Sequence, residues 1–190
     1  MAYRTSPIAY RISPVAQQRN TKYASRITPS AIGYQPSPMY NHAPLNYICP
    51  FCLIARQIEN EHVHTVDGDI VYRTESITTM ISSHQWQNNH DHVIIIPNEH
   101  YENIYDLPIH IATKIHEAAQ KIALTMKTAY HCDGISTRQH NEPAGNQDVW
   151  HYHLHIFPRY TGDNLYATPR GGVMPAQERA RYAQQLRTHL

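Results

Sequence analysis

Three histidines stand at every second position in the stretch WHYHLHIFPRY, residues 150–160, as His151, His153 and His155. Two chemistries fit that spacing. Three imidazoles can ligate a metal that activates water, or one imidazole can act as a nucleophile while a neighbour handles protons. The nucleophile needs less. A neutral ring attacks phosphorus through one nitrogen while an acceptor holds its other N–H, and a reference pKa of about 6.5 leaves much of the imidazole neutral at physiological pH. Same-face neighbours on one strand are ~6.5–7 Å apart, so two of these rings can reach one ion but three in a row strain the geometry. The chemistry favours the nucleophile and leaves the metal alternative open, with a solvent-facing polar stripe as the blandest possibility.

The elements that position these rings follow from hydrophobic period. The histidines alternate with Tyr152, Leu154 and Ile156, and period-two alternation predicts a half-buried strand with the imidazoles on one face. Pro158 is expected to end its regular pairing. HVIIIP at 92–97 is a continuous apolar run and predicts a buried central strand; HVHTV at 62–66, DIVYRT at 69–74 and ITTMISS at 77–83 predict shorter ones. Residues 107–130 carry Ile111, Ile115, Ala118, Ile122, Met126 and Ala129 at helical spacing. The helix they predict has Asp106 as N-cap and Pro108 in its first turn. CPFC at 49–52 leads into a short helix, GISTRQ at 134–139 pairs with the histidine strand as a hairpin, and Gly171-Gly172 precedes a last helix over about 175–189. Strands and helices without a βαβ rhythm predict an α+β fold with an antiparallel sheet. Cys132, His110, His116 and His131 fall in or beside helices and are assigned to packing or surface.

Composition narrows the classes. The chain has 190 residues and a formal net charge of +1, enough for one domain with a real core and no electrostatic reason to bind nucleic acid. No apolar run approaches the ~18–20 residues that span a bilayer. Fifteen histidines are the outlier, and they are dispersed. Of three cysteines, Cys49 and Cys52 suit a reducing compartment and a metal pair better than a disulfide framework; a cytoplasmic protein is expected. Residues 1–45 read differently. They lack Asp and Glu, carry Arg4, Arg11, Arg19, Lys22 and Arg26, and repeat YRTSPIA at 3–9 as YRISPVA at 10–16. Such a segment buries little and is expected to be a disordered extension, with residues 46–190 as the folded domain. Its arginines and serines resemble an organellar transit peptide, against which the prolines argue; translation from Met39 is the other expectation.

The motifs HVIIIPNEH at 92–100, GNQDV at 145–149, HYHLHIF at 151–157 and PRY at 158–160, in that chain order and spacing, resemble the histidine-triad (HIT) family, in its zinc-containing, diadenosine polyphosphate hydrolase-like branch. The resemblance covers residues 46–165. It implies a HIT-like α+β fold, an antiparallel sheet with one long and one or more short helices, forming homodimers. It implies a hydrolase cleaving nucleoside polyphosphates or phosphoramidates at the α-phosphate, preferably dinucleoside polyphosphates such as diadenosine tetraphosphate. His153 is then the nucleophile and His155 assists the leaving group, with a backbone carbonyl fixing the His153 tautomer. Gln147 and the amides around Asp148 meet the phosphate, while His92 and Asn141 line the nucleotide pocket. Cys49, Cys52, His100 and His151 would hold a structural zinc. A nucleotidyl transferase and a non-catalytic nucleotide-binding sensor remain as alternatives, and the partner is a small-molecule nucleotide rather than nucleic acid or membrane. Two positions depart from the family pattern: Asp91 stands where Gly is common, and Asp148 where Ser or Thr is. The acidic ribose contact of other branches is missing from MISSHQWQNNHD, where Ser82, Ser83 and His84 stand instead.

Overall fold

The computed structural model describes residues 40–61 and 63–190. The expected extension therefore falls largely outside the described residues, as does Met39. The elements in chain order are helix α1 (Pro50–Ala55), a 3-10 turn (Asp67–Asp69), strands β1 (Ile70–Arg73), β2 (Ile77–Ile81), β3 (His84–Trp86) and β4 (Val93–Pro97), helix α2 (Ile109–Ala129), strand β5 (Gly134–Gln139), a 3-10 turn (Pro143–Gly145), strands β6 (Leu154–Arg159) and β7 (Arg170–Val173), and helix α3 (Ala176–His189). Five strands form one sheet in the order β1-β2-β4-β6-β5, antiparallel at every pairing. β3 and β7 form a second, two-stranded antiparallel sheet. The chain thus has the expected α+β fold with an antiparallel sheet, one long helix and shorter ones. No helix among the described residues is long and apolar enough to cross a membrane.

β4 is buried at every residue because both faces of the sheet are covered. α2 packs on β2, β4 and β6, and α3 packs beside it on β1 and β2. On the other face α1 lies over Met80, Ile94 and Ile96, with Cys49, Phe51 and Ile54 completing that cluster. Ile94 pairs with His155 across β4 and β6, and cross-strand partners share a face. The histidine row therefore opens on the α1 face.

Several boundaries differ from expectation. α2 starts at Ile109 with Pro108 as N-cap and no side-chain cap, not with Asp106, because the residue before a proline is driven out of the helical region. Pro158 does not end β6; the ladder with β5 runs on to Arg159. Its missing N–H faces the side where β4 has already stopped and where Asn89 Nδ2 bonds the Pro158 carbonyl at 2.9 Å. At its other end β6 begins only at Leu154, so His151 and His153 precede the ladder. The residue of β4 next in register lies beside Pro97, which has no N–H to offer and whose carbonyl is taken by His151 Nε2 at 3.0 Å. The described part of 62–66 forms no strand.

Candidate active site and metal centre

α1 brings two sulfurs together. Cys49 is its N-cap, with Sγ accepting from the Cys52 amide and Pro50 at the first position; residues three apart on a helix share a side. His151 Nδ1 is 3.2 Å from Cys49 Sγ and 3.5 Å from Cys52 Sγ, and His100 Nδ1 is 3.2 Å from Cys52 Sγ. All four donor atoms lie within 4.8 Å of one another, and the separations of 3.2 and 3.5 Å are close to the edges of about 3.3–3.8 Å in a tetrahedron with Zn–S about 2.3 Å and Zn–N about 2.0 Å. The Pro97 carbonyl accepts from Nε2–H of His151, so its Nδ1 lone pair faces the sulfurs, the outer-sphere support that metal-binding imidazoles use. Hydrogen bonding from Cys49 lowers the Cys52 thiol pKa against the opposing effect of burial, and His100 and His151 add to it. Burial raises that of Cys49, as does its neighbour Cys52. One thiolate is thus already favoured, and a divalent cation held by these four residues would supply the charge that deprotonates the second. The donor set fits a closed, structural Cys2His2 metal site. Among the described residues this is the cluster able to hold a metal, and neither His153 nor His155 belongs to it. The three-imidazole metal site is therefore not what the spacing builds: His151 turns to the cysteines and leaves the other two rings free for other chemistry.

His153 is 2% exposed, and its Nδ1 lies 2.7 Å from the His151 carbonyl. A carbonyl only accepts, so Nδ1 carries the proton and Nε2 keeps its lone pair. Burial pushes the ring down to about 4, partly offset by that carbonyl and by Asp148. His153 is accordingly neutral at physiological pH. Phe51 sits edge-on to it at 5.2 Å between centroids, and His155 lies at 4.9 Å.

His155 is oriented by a chain of hydrogen bonds. Gln85 Oε1 accepts from the His92 backbone N–H at 3.2 Å and from His92 Nδ1 at 3.1 Å, while Gln85 Nε2 donates to the Ser82 carbonyl at 2.6 Å. His92 must then present a lone pair at Nε2, which receives the proton of His155 Nδ1 at 3.3 Å. His155 consequently also offers Nε2 to the site. His92 is fully buried, stacked on Phe157 at 4.5 Å and edge-on to Trp86 at 5.3 Å. It positions His155. Burial, followed by His153 and His92, holds His155 well below the ordinary imidazole range.

The loop before the triad holds the remaining expected residues. Gln147 is buried, with Nε2 donating to the carbonyls of Glu102 (2.6 Å) and Val149 (3.1 Å) and Oε1 accepting from the Glu142 amide (2.8 Å); its side chain organises the loop. Asn141 Oδ1 accepts from the Ile104 amide at 2.8 Å, and its Nδ2 bonds Gln139 Oε1 at 2.8 Å, tying that loop to the segment after His100. Of these residues Asp148 reaches over the second histidine of the row: Oδ1 is 3.9 Å from His153 Nε2 and Oδ2 is 2.5 Å from Arg170 Nη1. Although burial opposes ionisation, the Arg170 guanidinium holds this carboxyl below its ordinary range. The sequence reading missed Gln85, Arg170 and His140, whose ring lies 6.2 Å from that of His155. Only the pairing of distant segments reveals the first two.

The family model described as HIT domain matches residues 64–162. A curated relative, Protein hit of Bacillus subtilis, is 32% identical over 124 residues, covering 63% of this chain and 77% of its own. The chain belongs to the HIT family. It is thereby a member of a nucleotide-binding and hydrolase superfamily. Among solved structures, a Hit-like protein from Bartonella henselae superposes with a TM-score of 0.63 at 26% identity, over 75% of this chain and 96% of that one. A Zn-bound histidine triad family protein from Mycobacterium smegmatis has the same fold, with a TM-score of 0.60 at 23% identity over 74% of this chain and 93% of its own.

Proposed function

We propose that the protein hydrolyses a nucleoside polyphosphate or phosphoramidate through a covalent nucleotidyl-His153 intermediate, with dinucleoside polyphosphates such as diadenosine tetraphosphate as the preferred substrates. The observation that carries this is the His153 imidazole, buried and neutral, its Nδ1–H fixed on the His151 carbonyl at 2.7 Å and its Nε2 lone pair facing the site. In the first step Nε2 attacks the α-phosphorus. The N–P bond forms as the bond to the leaving group breaks, and the leaving group takes the electron pair and a proton from His155. In the second, water attacks the same phosphorus, the N–P bond breaks, its electrons return to Nε2, and His155 receives the proton of the water. His155 is uncharged in the free site, and an approaching phosphate anion favours its protonated form, so the proton comes with the substrate. Backbone amides around Asp148 supply the donors for the transition-state charge, those of Asn146 and Gln147 being taken by the carbonyls of Pro143 and Glu142. Gln147 and Asn141 act by shaping the loop before the triad.

We further propose that zinc fills the Cys49, Cys52, His100 and His151 site and that it is structural: it fixes His151, whose carbonyl orients the nucleophile. The neighbour from Mycobacterium smegmatis, which is Zn-bound, and the donor set support this. We infer a homodimer working in the cytoplasm, with a small-molecule nucleotide as its partner and neither nucleic acid nor membrane. The test is hydrolysis of diadenosine tetraphosphate in 18O-water with and without added inorganic phosphate. Label in the mononucleotide product supports hydrolysis; a nucleoside diphosphate formed from added phosphate identifies a transferase, and saturable binding without turnover identifies a sensor.

A further inference from the structure

Arg170 lies beyond residues 64–162, the segment that the HIT domain model matches, yet it enters the site. Its Nη1 is 2.5 Å from Asp148 Oδ2, and the other oxygen of that carboxylate is 3.9 Å from the lone pair of His153 Nε2. The approach is built into the fold. Arg170 is opposite Trp86 in the β3-β7 pair. The next residue, Gly171, lies so close to β3 that a Cβ there would stand 2.8 Å from the Gln85 carbonyl oxygen. Beyond the strand, the buried Arg179 bonds the Met174 carbonyl, the His64 carbonyl and both Asp69 oxygens. The ion pair itself is different in character: the Arg170 and Asp148 side chains are 45% and 50% exposed, so either partner can exchange. After burial, the charge of Arg170 is the next influence that holds His84 and His92 below the ordinary imidazole range.

A phosphorus centre approaching His153 has to displace the Asp148 carboxylate, because two anions in that space repel. The guanidinium stands one carboxylate further out. In an in-line displacement the leaving group lies on the side of the phosphorus away from the nucleophile, and a guanidinium binds phosphate oxygens with the same fork it offers a carboxylate. We propose that Arg170 is a substrate-binding residue for the negatively charged phosphates of the leaving group, and that Asp148 is the intramolecular anion that holds it at that station until substrate takes its place. This rests on nucleotidyl transfer to His153. It makes the C-terminal strand a specificity element that favours polyphosphate leaving groups over neutral ones such as ammonia.

The experiment compares metal-loaded full-length wild type with Arg170→Ala, Arg170→Lys and Asp148→Asn. The ratio of kcat/KM for diadenosine tetraphosphate to that for adenosine phosphoramidate is expected to fall about tenfold or more in Arg170→Ala and to recover in part in Arg170→Lys. Calorimetric binding of inorganic tripolyphosphate is expected to weaken about tenfold in Arg170→Ala and to tighten in Asp148→Asn. Parallel loss on both substrates, with tripolyphosphate binding unchanged, overturns the assignment and leaves Arg170 a structural residue. Absence of turnover in wild type defeats the nucleotidyl-transfer reading, while the tripolyphosphate measurement still decides for or against Arg170 as the anion-binding residue.

Discussion

The carbonyl of His151 accepts from Nδ1 of His153 at 2.7 Å, while the ring of the same His151 turns its own Nδ1 to Cys49 and Cys52. One residue thus joins the candidate metal centre to the proposed nucleophile through two covalent bonds of backbone. Stability and turnover should therefore fall together when the site loses its metal. A resident ion at a thousandfold its dissociation constant stabilises by about 4 kcal/mol, so Cys49→Ser or Cys52→Ser should lower Tm by on the order of 10 °C. Metal content, calorimetric Tm and turnover measured on the same preparations check this. Full activity in metal-free, normally stable protein would contradict it.

Gln85 should matter to catalysis without touching substrate. Replacing it with Met leaves the buried His92 Nδ1–H without its acceptor, a cost of about 1–3 kcal/mol, and frees His155 to rotate. Misplacement of a reacting group by about 1 Å can cost about 100-fold, so kcat should fall about 10- to 100-fold with KM little changed. Gln85→Glu, which keeps the acceptor, should recover part of it. Equal losses in Gln85→Met and Gln85→Glu would remove the role of the Gln85-His92-His155 chain.

Arg179 and Asp69 form a buried ion pair at 2.9 Å, with side chains 2% and 0% exposed. Arg179→Met leaves the carboxylate buried and uncompensated, so unfolding in urea should show a loss of about 3–5 kcal/mol. A change within experimental error would mean that α3 is held by its apolar side alone, through Ala183 and Leu186.

Asp91 explains one departure from the family pattern. Its φ is +76°, the left-handed region that glycine takes without penalty. Its Oδ1 has no hydrogen-bond partner among the described residues. Tyr130, Tyr160 and Tyr182 face it. Burial raises the carboxyl from 3.8 to about 7, and a hydrogen bond from Tyr182 opposes the rise only in part. The folded state therefore binds the proton more tightly than the unfolded one. This contribution to stability is complete below the unfolded pKa and is lost as pH rises through the folded value. Asp91→Gly should thus be more stable than wild type by about 1–3 kcal/mol at pH ~8.5, with the difference shrinking or reversing toward pH ~4. Paired urea titrations at the two pH values test it, and a variant no more stable than wild type at the higher pH contradicts it.

The sequence already showed much of this arrangement, and the parts it hid share a cause. Period-two alternation placed His153 and His155 on one face, and the VIIIP run marked the central strand, because both patterns reflect burial that each segment carries by itself. β3 is three residues long, and β7 is RGGV, exposed throughout. Neither has a hydrophobic period, and each exists only because the other pairs with it. Gln85 and Arg170 ride on these two strands, which is why their roles were invisible. Pro158 misled in the opposite direction, since a proline is tolerated in a strand wherever its missing donor faces no partner.

The central claim is the covalent bond to His153. The direct measurement is rapid quenching of metal-loaded wild type and His153→Ala with diadenosine tetraphosphate, followed by intact-mass analysis. One adenylyl group on wild type, localised to the 151–155 peptide, appearing at the rate of turnover and absent from His153→Ala together with turnover, is the predicted result. Turnover that persists in His153→Ala, or an adduct that forms more slowly than product is released, would contradict nucleotidyl transfer through this histidine.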